Sequence, residues 1–145
     1  MRHAMLALMP FTGPIDDRLS IRELIDTYAD ATNLRDAEQW GSLFAEDARW
    51  ELPDFPEYGD TVGRDAIVAK WAAAVADHEG LVYIATAGAI EVDGDRATAR
   101  LYTSEVYTAK DGTTVRRRGR YDEVLVKRDG RWLIAVHVFR TLHQE

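Results

Sequence analysis

His137, Glu105 and the tyrosines Tyr83, Tyr107 and Tyr121 are the side chains best suited to acid–base chemistry, because all five lie in stretches that alternate like β-strands. A neutral imidazole accepts a proton near pH 7, a carboxylate can assist it, and neutral phenols donate to a carbonyl or a developing enolate. His137 is the only histidine within a regular strand pattern; His3 and His143 sit near the termini and His78 at a helix end. Each candidate also has a purely structural reading. His137 would pack in the sheet against Tyr121, Glu105 would form a cross-strand ion pair with Arg117, and the tyrosines would be amphipathic wall residues. Placing His137 and Glu105 in one cavity is costly unless both are satisfied, which is the argument for function.

Trp50, Leu52, Phe55 and Phe139 would give such a cavity an apolar character suited to a flat hydrophobic ligand. Asn33 would either orient that ligand or cap the end of the first helix. The four histidines are scattered without paired ligand spacing, so no metal site is expected. The sequence contains neither a Gly-rich phosphate loop nor a nucleophile elbow, and no cofactor is implied. "VDGD" reads as a hairpin turn, since the remaining positions of a calcium loop are missing.

With 145 residues and 46% hydrophobic content, the chain fits one domain with a real core. The net charge of −7 argues against nucleic acid as a partner, and the arginines between Arg116 and Arg131 are interleaved with Asp122, Glu123 and Asp129. The absence of cysteine excludes disulfides and thiolate chemistry and is compatible with a cytoplasmic location. Residues 1–15 read as an N-terminal arm and 16–145 as the domain. The arm's apolar run is too short for a membrane span and is broken by Pro10, which leaves a docking arm or a truncated signal peptide.

The elements that must position these residues follow in order. Ser20 and Glu23 form a capping box ahead of a helix carrying Ile21, Leu24, Ile25, Tyr28, Ala31 and Thr32 on one face and ending near Arg35. A short helix capped by Asp36 comes next, then the strand "DARWEL" and the loop "PDFPEYGDTVG". A third helix, "RDAIVAKWAAAVADHE", has Gly80 as its expected C′ residue. The remainder is an antiparallel meander turning at "DGD", "KDG" and "RDG". The layout is α+β, with three N-terminal helices packed on a curved antiparallel sheet.

Reading both late turns as three-residue loops sets Glu105 opposite Arg117, Thr103 opposite Gly119, Leu101 opposite Tyr121, and Tyr121 opposite His137. One face then carries Leu101, Thr103, Glu105, Tyr107, Arg117, Gly119, Tyr121, His137 and Phe139. The other carries Tyr102, Val106, Val124, Val126, Trp132, Ile134, Val136 and Val138. A two-residue turn at either site would exchange the faces. The second set is an apolar field that predicts a homodimer through the outer sheet face.

The stretches "IRELIDTYADATNLRDAEQWGSLFAEDARWELP" and "VDGDRATARLY…GRYDEVLVKRDGRWLIA" resemble the SnoaL-like branch of the nuclear-transport-factor-2-like superfamily, which includes scytalone dehydratase-, ketosteroid isomerase- and polyketide cyclase-like proteins. The resemblance implies a cone-shaped α+β barrel whose sheet curls around a pocket, and pocket positions at Tyr107, Gly119, Tyr121 and His137. Dehydratases and dehydrochlorinases of this kind pair an aspartate late in the first helix with a histidine on the first long strand. Here those positions hold Asn33 and Tyr83, so the usual dyad is missing. The expectation is a small-molecule pocket protein: a cofactor-independent lyase, isomerase or dehydratase acting on a hydrophobic oxygenated ring compound. A non-catalytic binder or subunit is the alternative. An epoxide hydrolase is the third reading, although its arginine and paired aspartates are not evident, because Asp122 falls on the outer face.

Overall fold

The computed structural model describes residues 9–145; the run after Arg2, with either reading of it, lies largely outside them. Strand β1 (Phe11–Thr12) pairs in parallel with the edge of the sheet at Ile90 and Glu91, so the end of the expected arm is part of the sheet. Helix α1 spans Ile15–Leu34, beginning five residues before Ser20. Pro14 stands at its N-cap, and Asp16 and Asp17 occupy the first turn, where acidic groups suit the helix dipole. Asp17 Oδ1 also accepts from Lys127 Nζ (3.1 Å) and Trp132 Nε1 (3.0 Å). That long-range clamp fixes the helix start, and the local pattern around Ser20 carries no trace of it. At the other end Arg35, with φ of 54°, closes the helix in the left-handed region.

Helix α2 (Ala37–Gly41) is capped by Asp36, whose side chain accepts from the Gln39 amide. Strand β2 (Phe44–Glu51) and the short β3 (Thr61–Val62) flank the Pro53–Asp60 loop. Helix α3 (Arg64–Ala76) ends at Asp77, so Gly80 is not its C′ residue; with φ of 63° it lies inside β4 (Glu79–Asp93), where the pairing shifts register. The sheet is completed by β5 (Arg96–Thr108), β6 (Thr114–Arg128) and β7 (Arg131–Gln144). Strand order is β1-β4-β5-β6-β7-β2-β3, antiparallel across the four long strands and parallel at β1/β4 and β2/β7. The fold is therefore α+β with a curved mixed sheet, its helices on the concave side. No helix among the described residues is long and apolar enough to cross a membrane.

The first late turn matches the expected register: Glu105 pairs with Arg117, Thr103 with Gly119 and Leu101 with Tyr121. The second does not. Asp129 (φ 52°) and Gly130 (φ 73°) make a two-residue turn, and Arg128 pairs with Arg131. Trp132 and Ile134 consequently face inward and are 4% and 0% exposed, which corrects their assignment to the outer face. One extra residue, Ala135, then bulges between Ile134 and Val136, and beyond it the original phase returns. Tyr121 pairs with Phe139, and His137 pairs with Glu123 instead of Tyr121. Two departures of one residue each thus leave His137 and Phe139 on the expected face but against new partners.

Candidate functional site

The concave face encloses a cavity of about 500 Å³ beneath α1 and α3. Successive inward residues of β6 run from Glu123, sealed beside His137 below the cavity, through Tyr121 on its wall and Gly119 to Arg117, which also lines it. Four residues of strand separate Tyr121 from Arg117, a distance of about 13 Å. Gly119 is required midway, because a Cβ there would approach the Phe139 ring to 2.2 Å.

Nine of the anticipated residues line the cavity: Trp50, Leu52, Phe55, Tyr83, Glu105, Tyr107, Arg117, Tyr121 and Phe139. Four do not. Leu101 and Thr103 are buried in the sheet beneath the wall. Asn33 joins α1 to β4: Nδ2 donates to the Tyr83 carbonyl (2.7 Å) and, within the helix, to the Ala29 carbonyl (3.0 Å), while Oδ1 accepts from the Tyr83 amide (2.7 Å). It clips α1 to the strand and neither faces a ligand nor caps the helix, which Arg35 closes. Asn33→Ala removes all three bonds and is expected to lower stability by about 1–3 kcal/mol in urea denaturation, without a direct effect on ligand affinity.

His137 is the fourth, and it lies one layer below the cavity with 0% exposure. Its Nδ1 is 2.6 Å from Glu123 Oε2, a carboxylate also sealed from solvent, and its Nε2 is 3.1 Å from the Tyr28 hydroxyl. The Tyr121 ring stacks on the imidazole at 3.6 Å, almost parallel, while Tyr28 and Trp50 pack around it. Tyr28 and Tyr121 belong to the cavity wall. The imidazole therefore reaches the cavity through the Tyr28 hydroxyl. In the tautomer that carries the proton on Nδ1, that nitrogen donates to Glu123, Nε2 accepts, and the Tyr28 hydroxyl donates inward. The Tyr28 hydroxyl also lies within hydrogen-bonding reach of the Tyr121 and Tyr83 phenols, which share the cavity wall. Burial, then the neighbouring Tyr121 and Tyr83, push the Tyr28 phenol well above its ordinary range, and burial does the same to Tyr83 and Tyr121. All three remain neutral.

The rim is charged. Arg117 Nη1 donates to Glu105 Oε1 at 2.8 Å, and its Nη2 donates to the Tyr107 hydroxyl at 3.3 Å. Burial raises the Glu105 carboxyl, and Arg117 pulls it part of the way back. The structural reading of Glu105 as a cross-strand ion pair therefore describes its geometry, although the pair also faces the cavity. Lys70 Nζ donates to the Tyr58 and Gly59 carbonyls and to Thr61 Oγ1, pinning the loop that brings Phe55 and Tyr58 over the opening. Asp122 pairs with Arg120 on the outer face, 3.1 Å apart. Among the described residues no cluster of His, Asp and Glu is arranged to hold a metal.

Sequence reasoning missed Tyr28, Glu123 and His78. Tyr28 was legible only as a core position of an amphipathic helix, and Glu123 was hidden among the charges of β6. His78 looked like a helix-end residue, yet it lines the cavity and stacks on Tyr107 at 3.7 Å.

The chain belongs to the SnoaL-like domain family, whose model matches residues 14–137. It is similar to a protein from Novosphingobium aromaticivorans provisionally assigned as an aromatic ring hydroxylase, with 27% identity, TM-score 0.80, and coverage of 91% of this chain and 93% of that one. A protein of unknown function from Mycobacterium tuberculosis is 29% identical at TM-score 0.74, over 89% of this chain and 76% of its own. A hexachlorocyclohexane dehydrochlorinase from Novosphingobium barchaimii shares the fold at TM-score 0.80 with 16% identity, over 90% of each chain. No curated protein matches the chain significantly.

Proposed function

We propose that this protein is a cofactor-independent proton-transfer enzyme, of lyase or isomerase type, acting on a flat hydrophobic cyclic compound that carries an oxygen function. The observation supporting this reading is the buried chain Glu123–His137–Tyr28, which ends on an aromatic cavity. Burying a carboxylate and an imidazole costs several kcal/mol unless they are paired, and this pair has one hydroxyl as its outlet to a ligand. A proton leaving a carbon beside the substrate carbonyl passes to the Tyr28 oxygen while the Tyr28 proton passes to His137 Nε2. The C–H electron pair enters the enolate, whose oxygen accepts from the Tyr121 or Tyr83 hydroxyl, and Glu123 stabilises the imidazolium. The reverse transfer returns a proton to the same or a neighbouring carbon. The aromatic-ring substrate in the description of the Novosphingobium aromaticivorans relative agrees with the apolar lining.

A second reading, a non-catalytic binder or subunit, is favoured by the fixed amide of Asn33 and the sealed position of His137. Solvent-deuterium exchange into 2-tetralone, followed by NMR alongside quenching of Trp50 and Trp71 fluorescence, separates the two. Proton transfer predicts quenching with exchange well above the buffer rate. Quenching without exchange leaves only the binder.

The outer sheet face remains the proposed homodimer surface. Val82, Ile84 and Tyr102 are exposed there, and the described helices all lie on the other side. Trp132 belongs to the core, so the exposed Ile84 is the position to probe, as Ile84→Glu. Sedimentation at micromolar concentration should give about twice the chain mass for wild type and a shift toward monomer for the variant. A monomeric wild type refutes the assembly.

A further inference from the structure

The rim of the cavity holds a polar group that the proton-transfer reading does not use. His78 follows α3 and is fixed from two sides. Arg35, at the end of α1, donates through its guanidinium to the Val75 and His78 carbonyls, and the imidazole lies flat on Tyr107. Tyr107 is itself held by Arg117. Despite this placement, neither ring nitrogen has a hydrogen-bond partner among the described residues; Nδ1 is sealed off, which leaves Nε2 as the nitrogen a ligand can reach. A half-buried imidazole on a cavity wall with an unpartnered, reachable nitrogen is a hydrogen-bonding group that a ligand can satisfy. Its neighbours offer no internal remedy. Asp77 is engaged by Lys110 at 3.1 Å, Glu105 is engaged by Arg117, and Arg35 and Arg117 are cations that cannot accept from an imidazole.

We infer that His78 is the second polar anchor of the ligand, so that the substrate carries oxygen functions at both ends: one at the Tyr28–Tyr83–Tyr121 floor and one at the rim, hydrogen-bonded to His78. The inference rests on the reading that the cavity holds a flat oxygenated compound. Burial, with Arg117 and Arg35 adding to it and Asp77 opposing, lowers the His78 pKa, so the ring is neutral at pH 7. A neutral imidazole recognises a hydroxyl or carbonyl better than an anion or a cation. Tyr121 and Arg117, both on the cavity wall, are about 13 Å apart along β6, so a ligand that meets both ends is longer than a single ring.

The test compares two probes of one shape, 4-phenylphenol and 4,4′-dihydroxybiphenyl, by fluorescence quenching and calorimetry at pH 7.5. Wild type should bind the dihydroxy probe about 10-fold more tightly, as one additional buried hydrogen bond implies. His78→Phe keeps the stack on Tyr107 but has no ring nitrogen, so it should bind the two probes equally. His78→Gln, which restores a donor and an acceptor, should recover part of the preference. Equal affinities in wild type, or a preference that persists in His78→Phe, overturns the role of His78 while leaving the cavity reading intact. Wild type that binds neither probe overturns both.

Discussion

Glu123→Ala should lower the stability of this protein by about 3–5 kcal/mol, among the largest losses available to any single substitution in it. The carboxylate and the His137 imidazole are 2.6 Å apart, with side chains 1% and 0% exposed, so water cannot replace either partner. Removing one leaves the other buried and short of a hydrogen bond, and a cavity forms besides. His137→Ala should behave alike for the reciprocal reason. The double variant Glu123→Leu/His137→Phe should recover much of the loss, because an apolar pair of similar volume carries no desolvation penalty. Urea denaturation of the three variants measures this directly. Single variants within 1 kcal/mol of wild type would mean the pair is not sealed.

Tyr28→Phe is the companion prediction for chemistry. The variant keeps the ring that packs against Trp40, Tyr83 and Tyr121, with centroids 5.5 to 5.9 Å away, and deletes only the hydroxyl. Stability should fall modestly, by about 1–3 kcal/mol, since His137 Nε2 loses its partner. Exchange of 2-tetralone protons should fall about 100-fold or more, because the proton has no remaining route from the cavity to the imidazole. Affinity for 2-tetralone should change far less than the exchange rate. Parallel losses in affinity and rate would assign Tyr28 to binding alone.

The positions of these residues were unevenly legible in the sequence. The Glu105–Arg117 pairing followed from one Asp-Gly turn, because three-residue geometry there fixes the register of two long strands. The second Asp-Gly turn defeated the same reasoning. Asp129 tolerates the left-handed region, so two residues suffice, and the compensating bulge at Ala135 has no local signature. The shorter turn made Trp132 and Ile134 core residues, and with the bulge beyond them it exchanged the partner of His137 from Tyr121 to Glu123. Asn33 could be recognised as a departure from the Asp/His dyad, but its bonds to the Tyr83 backbone span 50 positions and depend on how α1 lies on β4. His78 was passed over because helix-end histidines usually face solvent. Only the clamp from Arg35, which joins the ends of α1 and α3, explains why this one faces the cavity.

The central claim is that a ligand places its reacting, oxygenated edge on the phenolic floor, above the buried Glu123–His137 pair. A crystal structure of the complex with 2-tetralone tests it most directly. The account predicts the ketone oxygen within hydrogen-bond distance of the Tyr121 or Tyr83 hydroxyl, with the adjacent carbon facing the Tyr28 oxygen. A ketone oxygen directed at Arg117 on the rim, with no part of the ligand touching Tyr28, would contradict it.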